Sequence, residues 1–288
     1  MIVSASYRTD IPAFYGDWFM RRLAVGACCS VNPWNQKTYE VSLRAADVDG
    51  FVFWTRNAMP FMRHLPKIGL HAPFYVQYTV TGYPRALEQS VIADDQAVSN
   101  MKAIATEFGA RAVVWRYDPV VFTDHTPPAW HLANFTQLAA KLAGTVDEVT
   151  VSFAQIYRKT RRNLDRAALK GEFRWEDPDA DAKRALIQQL GAVANTHQMR
   201  LTVCSQKALA STETPLAACI DAARLSDIAG APITAKQRGN RPDCLCHASR
   251  DIGAYDTCPH GCSYCYAVSD SDKAKRNFAA HDPEAERL

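Results

Sequence analysis

The chain has 288 residues, of which 48% are hydrophobic and 22% charged, with a formal net charge of +3. That length buries a full core without disulfide staples, and so small a charge does not call for a nucleic-acid partner. No apolar run reaches the ~18 residues of a membrane helix. The opening MIVSASYRTDIPAFY lacks the basic and apolar regions of a signal peptide, so we expect a cytoplasmic protein with no membrane contact.

Short β-branched or aromatic runs alternate with longer helical stretches. The runs at 2–5, 50–54, 74–80, 112–115, 148–153 and 200–204 have the length and composition of buried strands. Between the first two, residues 30–41 can form an extra hairpin. Helices are expected over 12–26, where Asp10 is a good N-cap, over 94–108 before Gly109, over 128–143 before Gly144, and over 179–196. Such alternation argues for an α/β fold with a parallel sheet. About six strands suit a (β/α)-type barrel, partial or closed. We divide the chain into a βα barrel domain at 1–230, a Cys-rich segment at 231–268 lying over the barrel mouth, and a polar tail at 269–288, read as a solvated helix or partly disordered.

In such folds chemistry sits at the C-terminal ends of the strands. Those ends are polar here: Ser4, Ser6, Arg8 and Asp10 after the first strand, Arg56 and Asn57 after the second, Arg116 and Asp118 after the fourth. Arginines at a barrel mouth suit a carboxylate or phosphate. Arg8, Asp10, Arg116 and Asp118 are therefore the candidate catalytic layer, with Ser6, Arg56 and Asn57 as candidates for holding a cofactor. The alternative for each is a structural ion pair at a strand end.

Nine cysteines are present, and seven of them follow residue 200. An odd, clustered count without an export signal points to metal ligands rather than disulfides. Cys258, Cys262 and Cys265 read C-x3-C-x2-C. Three thiolates on so short a loop can hold three irons of a 4Fe-4S cube and leave the fourth iron open to a small molecule. Gly261 allows the loop to turn, and Tyr264 stands where an aromatic can approach a cofactor. Zinc is the inorganic alternative, with His260 or Cys246 as the fourth ligand. Cys204, Cys219, Cys244 and Cys246 supply the four thiols a second 4Fe-4S cluster needs. The alternatives are a single cluster with some of the four as core cysteines, Cys204 first among them, or a separate zinc site. His247 and His260 are possible extra ligands beside the cysteines. Cys28 and Cys29, near the end of the first helix, read as packing residues.

The string CPHGCSYCYA resembles the cluster loop of radical-SAM enzymes, in particular the spore photoproduct lyase branch. In that superfamily the loop lies near the N-terminus, after the first barrel strand, whereas here it lies near the C-terminus. The resemblance implies a 4Fe-4S cluster, S-adenosyl-L-methionine (SAM), a 5′-deoxyadenosyl radical, a flavodoxin- or ferredoxin-type electron donor, and a substrate that is a small molecule or a nucleic acid. The alternative is a cluster- or zinc-binding module without catalysis, acting on nucleic acid or protein. The basic stretches 157–166 and 236–241 are its local support. Over nearly its full length the chain resembles the bacterial family known as domain of unknown function 1848, through SASYRTDIPAFY, VFWTRN, VVWRYDP, CIDAARL and DIGAYDTCPHGCSYCYA.

Overall fold

The computed structural model describes all 288 residues. Its strands are β1 (Ile2–Ala5), β2 (Ala27–Val31), β3 (Thr38–Ser42), β4 (Gly50–Thr55), β5 (Phe74–Thr79), β6 (Val113–Val120), β7 (Phe122–Thr123), β8 (Glu148–Phe153), β9 (Trp175–Glu176), β10 (Arg200–Val203) and β11 (Ser249–Asp251). Its α-helices are α1 (Ile11–Phe14), α2 (Gly16–Val25), α3 (Leu65–His71), α4 (Asp94–Phe108), α5 (Pro128–Leu142), α6 (Arg158–Gly171), α7 (Ala180–Thr196), α8 (Ala222–Ala229) and α9 (Ser271–Ala279).

All six expected strands are present, and they pair in chain order. The main sheet reads β10-β8-β6-β5-β4-β1-β11, and every pairing in it is parallel. Each right-handed crossover moves the same way along the sheet, which puts the connecting helices on one face. Accordingly α1 to α5 and α7 all bury residues in one core with Val3, Phe51, Phe53, Val76, Tyr78, Val113, Trp115, Val149, Val151 and Leu201. The alternate residues Ile2, Val52, Tyr75 and Val114 face the other way and pack with Ala217, Cys219, Ile220, Leu225 and Cys246. Burial on both faces explains the nearly unbroken apolar runs.

Two expectations about the fold are corrected. The sheet has seven strands and is open, so the closed barrel is not formed. The segment after β10 lies on the second face and adds one bridge, Val203 to Leu216, in place of a closing strand. β11 then pairs with β1 at the opposite edge. The tail forms the expected, mostly exposed helix, α9, but it is not disordered and its end is docked: Trp18 Nε1 donates to the Ala285 carbonyl at 2.9 Å, the Cys29 amide donates to the Glu286 carbonyl at 2.8 Å, and Leu288 packs on the main core. An indole N–H and a β-edge amide that lack sheet partners account for this capture of a polar segment.

The local signals hold. Asp10 Oδ1 accepts from the Ala13 amide and caps α1, and Gly109 ends α4 at φ 87°. The expected helix at 12–26 is split in two at Tyr15. The hairpin forms as β2 and β3, and it carries Cys28 and Cys29, which therefore sit on a strand rather than at a helix end. Cys28 is buried in the core.

Candidate thiol and ion-pair site at the strand ends

The second face of the sheet changes character along the strands. Its N-terminal half is apolar, through Ile2, Val52 and Tyr75. The same alternation then brings Ser4, Trp54, Gln77, Arg116, Asp118, Ser152 and Cys204 to the C-terminal half. The sequence candidates Ser6, Arg8, Asp10, Arg56, Asn57, Arg116, Asp118 and Cys204 lie on or just after these strand ends.

Three arginines there are already paired. Arg8 Nε meets Asp251 Oδ1 at 2.8 Å, and its Nη2 reaches the Asp251 carbonyl and Ser30. Ser6 Oγ donates to Asp251 Oδ1 at 2.7 Å and accepts from the Arg8 amide. Arg8 and Ser6 thus tie β11 to β1. Arg56 pairs with Glu88 at 2.8 Å, and Tyr264 hydroxyl bridges to both. Arg116 grips Asp118 through Nε and Nη2, holds Gln77 Oε1 at 3.2 Å, and lies 4.9 Å from the Trp54 ring centroid. Ser152 donates to Asp118 Oδ2 at 3.2 Å. Asn57 accepts from the Met59 amide and closes a turn. Glu88, Asp251, Arg241 and Tyr266 belong to the site and were not expected. Arg241 lies 4.8 Å from the Tyr266 ring centroid, linking the segment after α8 to the residue after Cys265. Of these, Asp251 and Tyr266 had a signal as members of the DIGAYDTCPHGCSYCYA string, and Arg241 as the end of the basic stretch 236–241.

The C-x3-C-x2-C loop follows β11 directly. It is pinned at both ends of its first turn. His260 Nε2 meets Asp10 Oδ2 at 2.8 Å, and the same carboxylate oxygen accepts from the Arg56 amide at 2.8 Å. The Ser90 amide donates to the His260 carbonyl at 2.9 Å, and Cys262 forms a bridge with Glu88. His260 is thereby turned toward Asp10 and held there as an anchor. The three cysteines keep some solvent contact, but protein surrounds their sulfurs closely enough that burial leads in raising all three thiols. Cys258 is pushed well up by burial, with Asp10 and the other two thiols adding to it. Cys262 is pushed to about 12 by burial, against the pull of Arg56. Cys265 is raised by burial, against backbone N–H groups of Ala267 and Val268. The thiols feel one another's charge but do not hydrogen-bond to one another. Ser263 Oγ, inside the loop, is buried without a partner, as is Thr9 Oγ1 beside Asp10.

The other four cysteines form a second group. Cys219 Sγ donates to Cys204 Sγ at 3.4 Å. Cys246 neighbours Cys219 on one side and Cys244 on the other, and the neighbouring Cys246 draws the Cys244 thiol down to about 6. Arg116 Nη1 donates to Cys219 Sγ at 3.0 Å. His247 is turned away, with Nδ1 against the Ile220 carbonyl and the Ala222 amide. As the side chains stand, no three His, Cys, Asp or Glu groups surround a common point. Two shallow surface hollows, one beside Leu70 and one beside Phe278, contain no cysteine. No helix is long and apolar enough to cross a membrane.

These features define a parallel α/β protein with two groups of reduced thiols gathered at one end of its sheet. Residues 2–267 match the profile of a family described as a domain of unknown function (DUF1848), and the chain belongs to that family. No curated protein and no solved structure matches it.

Proposed function

We propose that this chain is an iron–sulfur enzyme of radical-SAM type in which the order of the cluster strand is permuted. The observation that carries the reading is the place of β11. It is last among the strands in sequence but pairs beside β1, and the three-cysteine loop and then α9 follow it. Starting from β11, the sheet runs strand, cysteine loop, helix, and then the remaining six strands in order. A motif late in the chain is thus first in space, which is its position in the enzymes whose loop it resembles. The sequential order of β1 to β10 suits a partial barrel for the same reason.

The loop residues fit a 4Fe-4S cube. Three unpaired thiols share one short turn without bonding to each other, and the Ser263 hydroxyl beside them lacks a partner. Cys258, Cys262 and Cys265 would hold the cube, which when bound would supply an iron free to bind SAM and an electron for its reductive cleavage. The remaining roles belong to this chain. Asp10, through His260 and the Arg56 amide, fixes the loop against the end of β1. Tyr264, held by Arg56 and Glu88, closes the side toward β5. Arg116 and Asp118 offer paired charges for SAM or substrate, and Trp54 limits access of water. A flavodoxin- or ferredoxin-type donor supplies the electron, and a small molecule is the substrate class.

Anaerobic reconstitution followed by a SAM-cleavage assay tests this. About four irons and four sulfides are expected at the loop, with 5′-deoxyadenosine formed under reductant. Both should disappear in Cys258→Ser/Cys262→Ser/Cys265→Ser. A reconstituted cluster whose spectrum and products do not respond to SAM overturns the reading.

A further inference from the structure

Cys204, Cys219, Cys244 and Cys246 are not used in the function proposed above, and their geometry differs from that of the cluster loop. We infer that they form a second, separate site, a tetrathiolate clamp for one tetrahedral thiophilic cation, Zn2+.

The four come from three segments. Cys204 follows β10. Cys219 lies on the strip packed over the second face, where its carbonyl accepts from Tyr75 Oη and Gln77 Nε2, both at 2.8 Å. Cys244 and Cys246 sit on a strap closed by the Arg238 amide on the Cys246 carbonyl and the Ala248 amide on the Lys236 carbonyl, each at 2.8 Å. Gly239 lets the strap fold this tightly. A Cβ there would stand 2.3 Å from the Cys244 carbonyl oxygen. The strap holds Cys246 Sγ over the Cys219 segment, where it accepts from the Ile220 amide at 3.3 Å.

Spacing separates the possible metals. Thiolates tetrahedrally placed at about 2.3 Å from one zinc lie about 3.8 Å from each other. The sulfur–sulfur contact observed in the group, Cys219 Sγ to Cys204 Sγ at 3.4 Å, is already close to that spacing. A cube places each thiolate on a different iron and so holds them farther apart. The 3.4 Å contact between Cys204 and Cys219 is too short for that, so zinc displaces the second 4Fe-4S cluster among the sequence readings.

Cys219 donates to Cys204, and coordination would exchange that S–H···S bond for bonds from the four thiolates to one ion, with release of protons. The surroundings suit the product. Zn2+ with four thiolates carries a net charge of −2, and Arg116 Nη1 and the Ile220 amide already donate to sulfur. The clamp would fix the strap, and with it Arg241 over Tyr266, to the end of β10. This inference does not depend on SAM chemistry.

The test is metal content of the full chain expressed with zinc and iron, in the wild type, in Cys258→Ser/Cys262→Ser/Cys265→Ser, in Cys244→Ser/Cys246→Ser, and in the control Cys28→Ser/Cys29→Ser. About one zinc per chain is expected in the first, second and fourth, and none in the third. Cobalt exchanged into the triple variant should give the absorption of tetrahedral thiolate ligation, a reading that does not require the double variant to fold. Iron and sulfide persisting in the triple variant, no metal there, or cobalt without thiolate charge transfer would each overturn the site. Absence of iron-dependent SAM cleavage in the wild type with zinc retained would count against the proposed function alone.

Discussion

Arg56 shows how the mouth is held by its own side chains. It is buried, and burial alone would lower its pKa. Glu88, Tyr264 and Cys262 together hold the guanidinium well above its ordinary range. Removing one partner of such a pair leaves an uncompensated buried charge and costs about 3–5 kcal/mol. Glu88→Gln should therefore destabilise the metal-free protein by that order in urea denaturation. The double change Arg56→Met/Glu88→Leu should cost far less, because neither charge is then buried. His131 gives a pH signature away from the thiols. Burial lowers it to about 4, while the Val121 carbonyl opposes that fall. An unfolded histidine titrates near 6.5, so between about pH 6.5 and 4 the unfolded chain binds a proton that the native chain refuses. Stability is therefore lost as pH falls through that window, by about 3 kcal/mol for this one group. Compared with His131→Phe, the wild type should show that extra loss. A difference curve that stays flat from pH 7 to 4 would show that burial does not depress this group.

Among the elements, β11 matters most and is the least visible. It has three residues, too few for any periodic signal, and it is fixed by side chains more than by its ladder: Asp251 takes Ser4, Ser6 and Arg8 together. The loop that leaves it passes very close to β1. A Cβ on Gly253 would lie 2.2 Å from Ser6 Oγ and 2.6 Å from Ser6 Cβ. Gly253→Ala should force β11 off β1 at a cost of about 2 kcal/mol or more, and should lower the iron bound by the cysteine loop while leaving the zinc of the other site. Unchanged iron content would show that the loop does not depend on this edge. By contrast α4, α5 and α7 were legible, because caps and helical spacing are local properties. The short hairpin at 27–42 was legible in outline, but the assignment of Cys28 and Cys29 shifted because Gly26 ends α2 in the left-handed region, at φ 84°.

For the whole molecule, an open sheet predicts graded protection. β4, β5 and β6 pair on both sides and are buried on both faces, whereas β10 and β11 pair with one main-sheet strand each. In native-state hydrogen exchange the central strands should open last, and β11 and the 236–248 strap first. A closed barrel would protect all its strands alike. Added zinc should slow exchange in the strap and leave the central strands unchanged.

The amino-acid sequence by itself determined the alternation of strands and helices, their approximate bounds, the polar strand ends and the C-x3-C-x2-C loop. All of these rest on local spacing, capping and composition. Only the tertiary structure decided that the sheet stays open, that β11 enters beside β1, that Glu88 and Asp251 complete the arginine pairs, and that Cys219 reaches Cys204. Each of these joins residues far apart in the chain. Which side chains meet there is set by the order in which strands pack and by the need of every buried charge and polar atom for a partner, a need that no local pattern records.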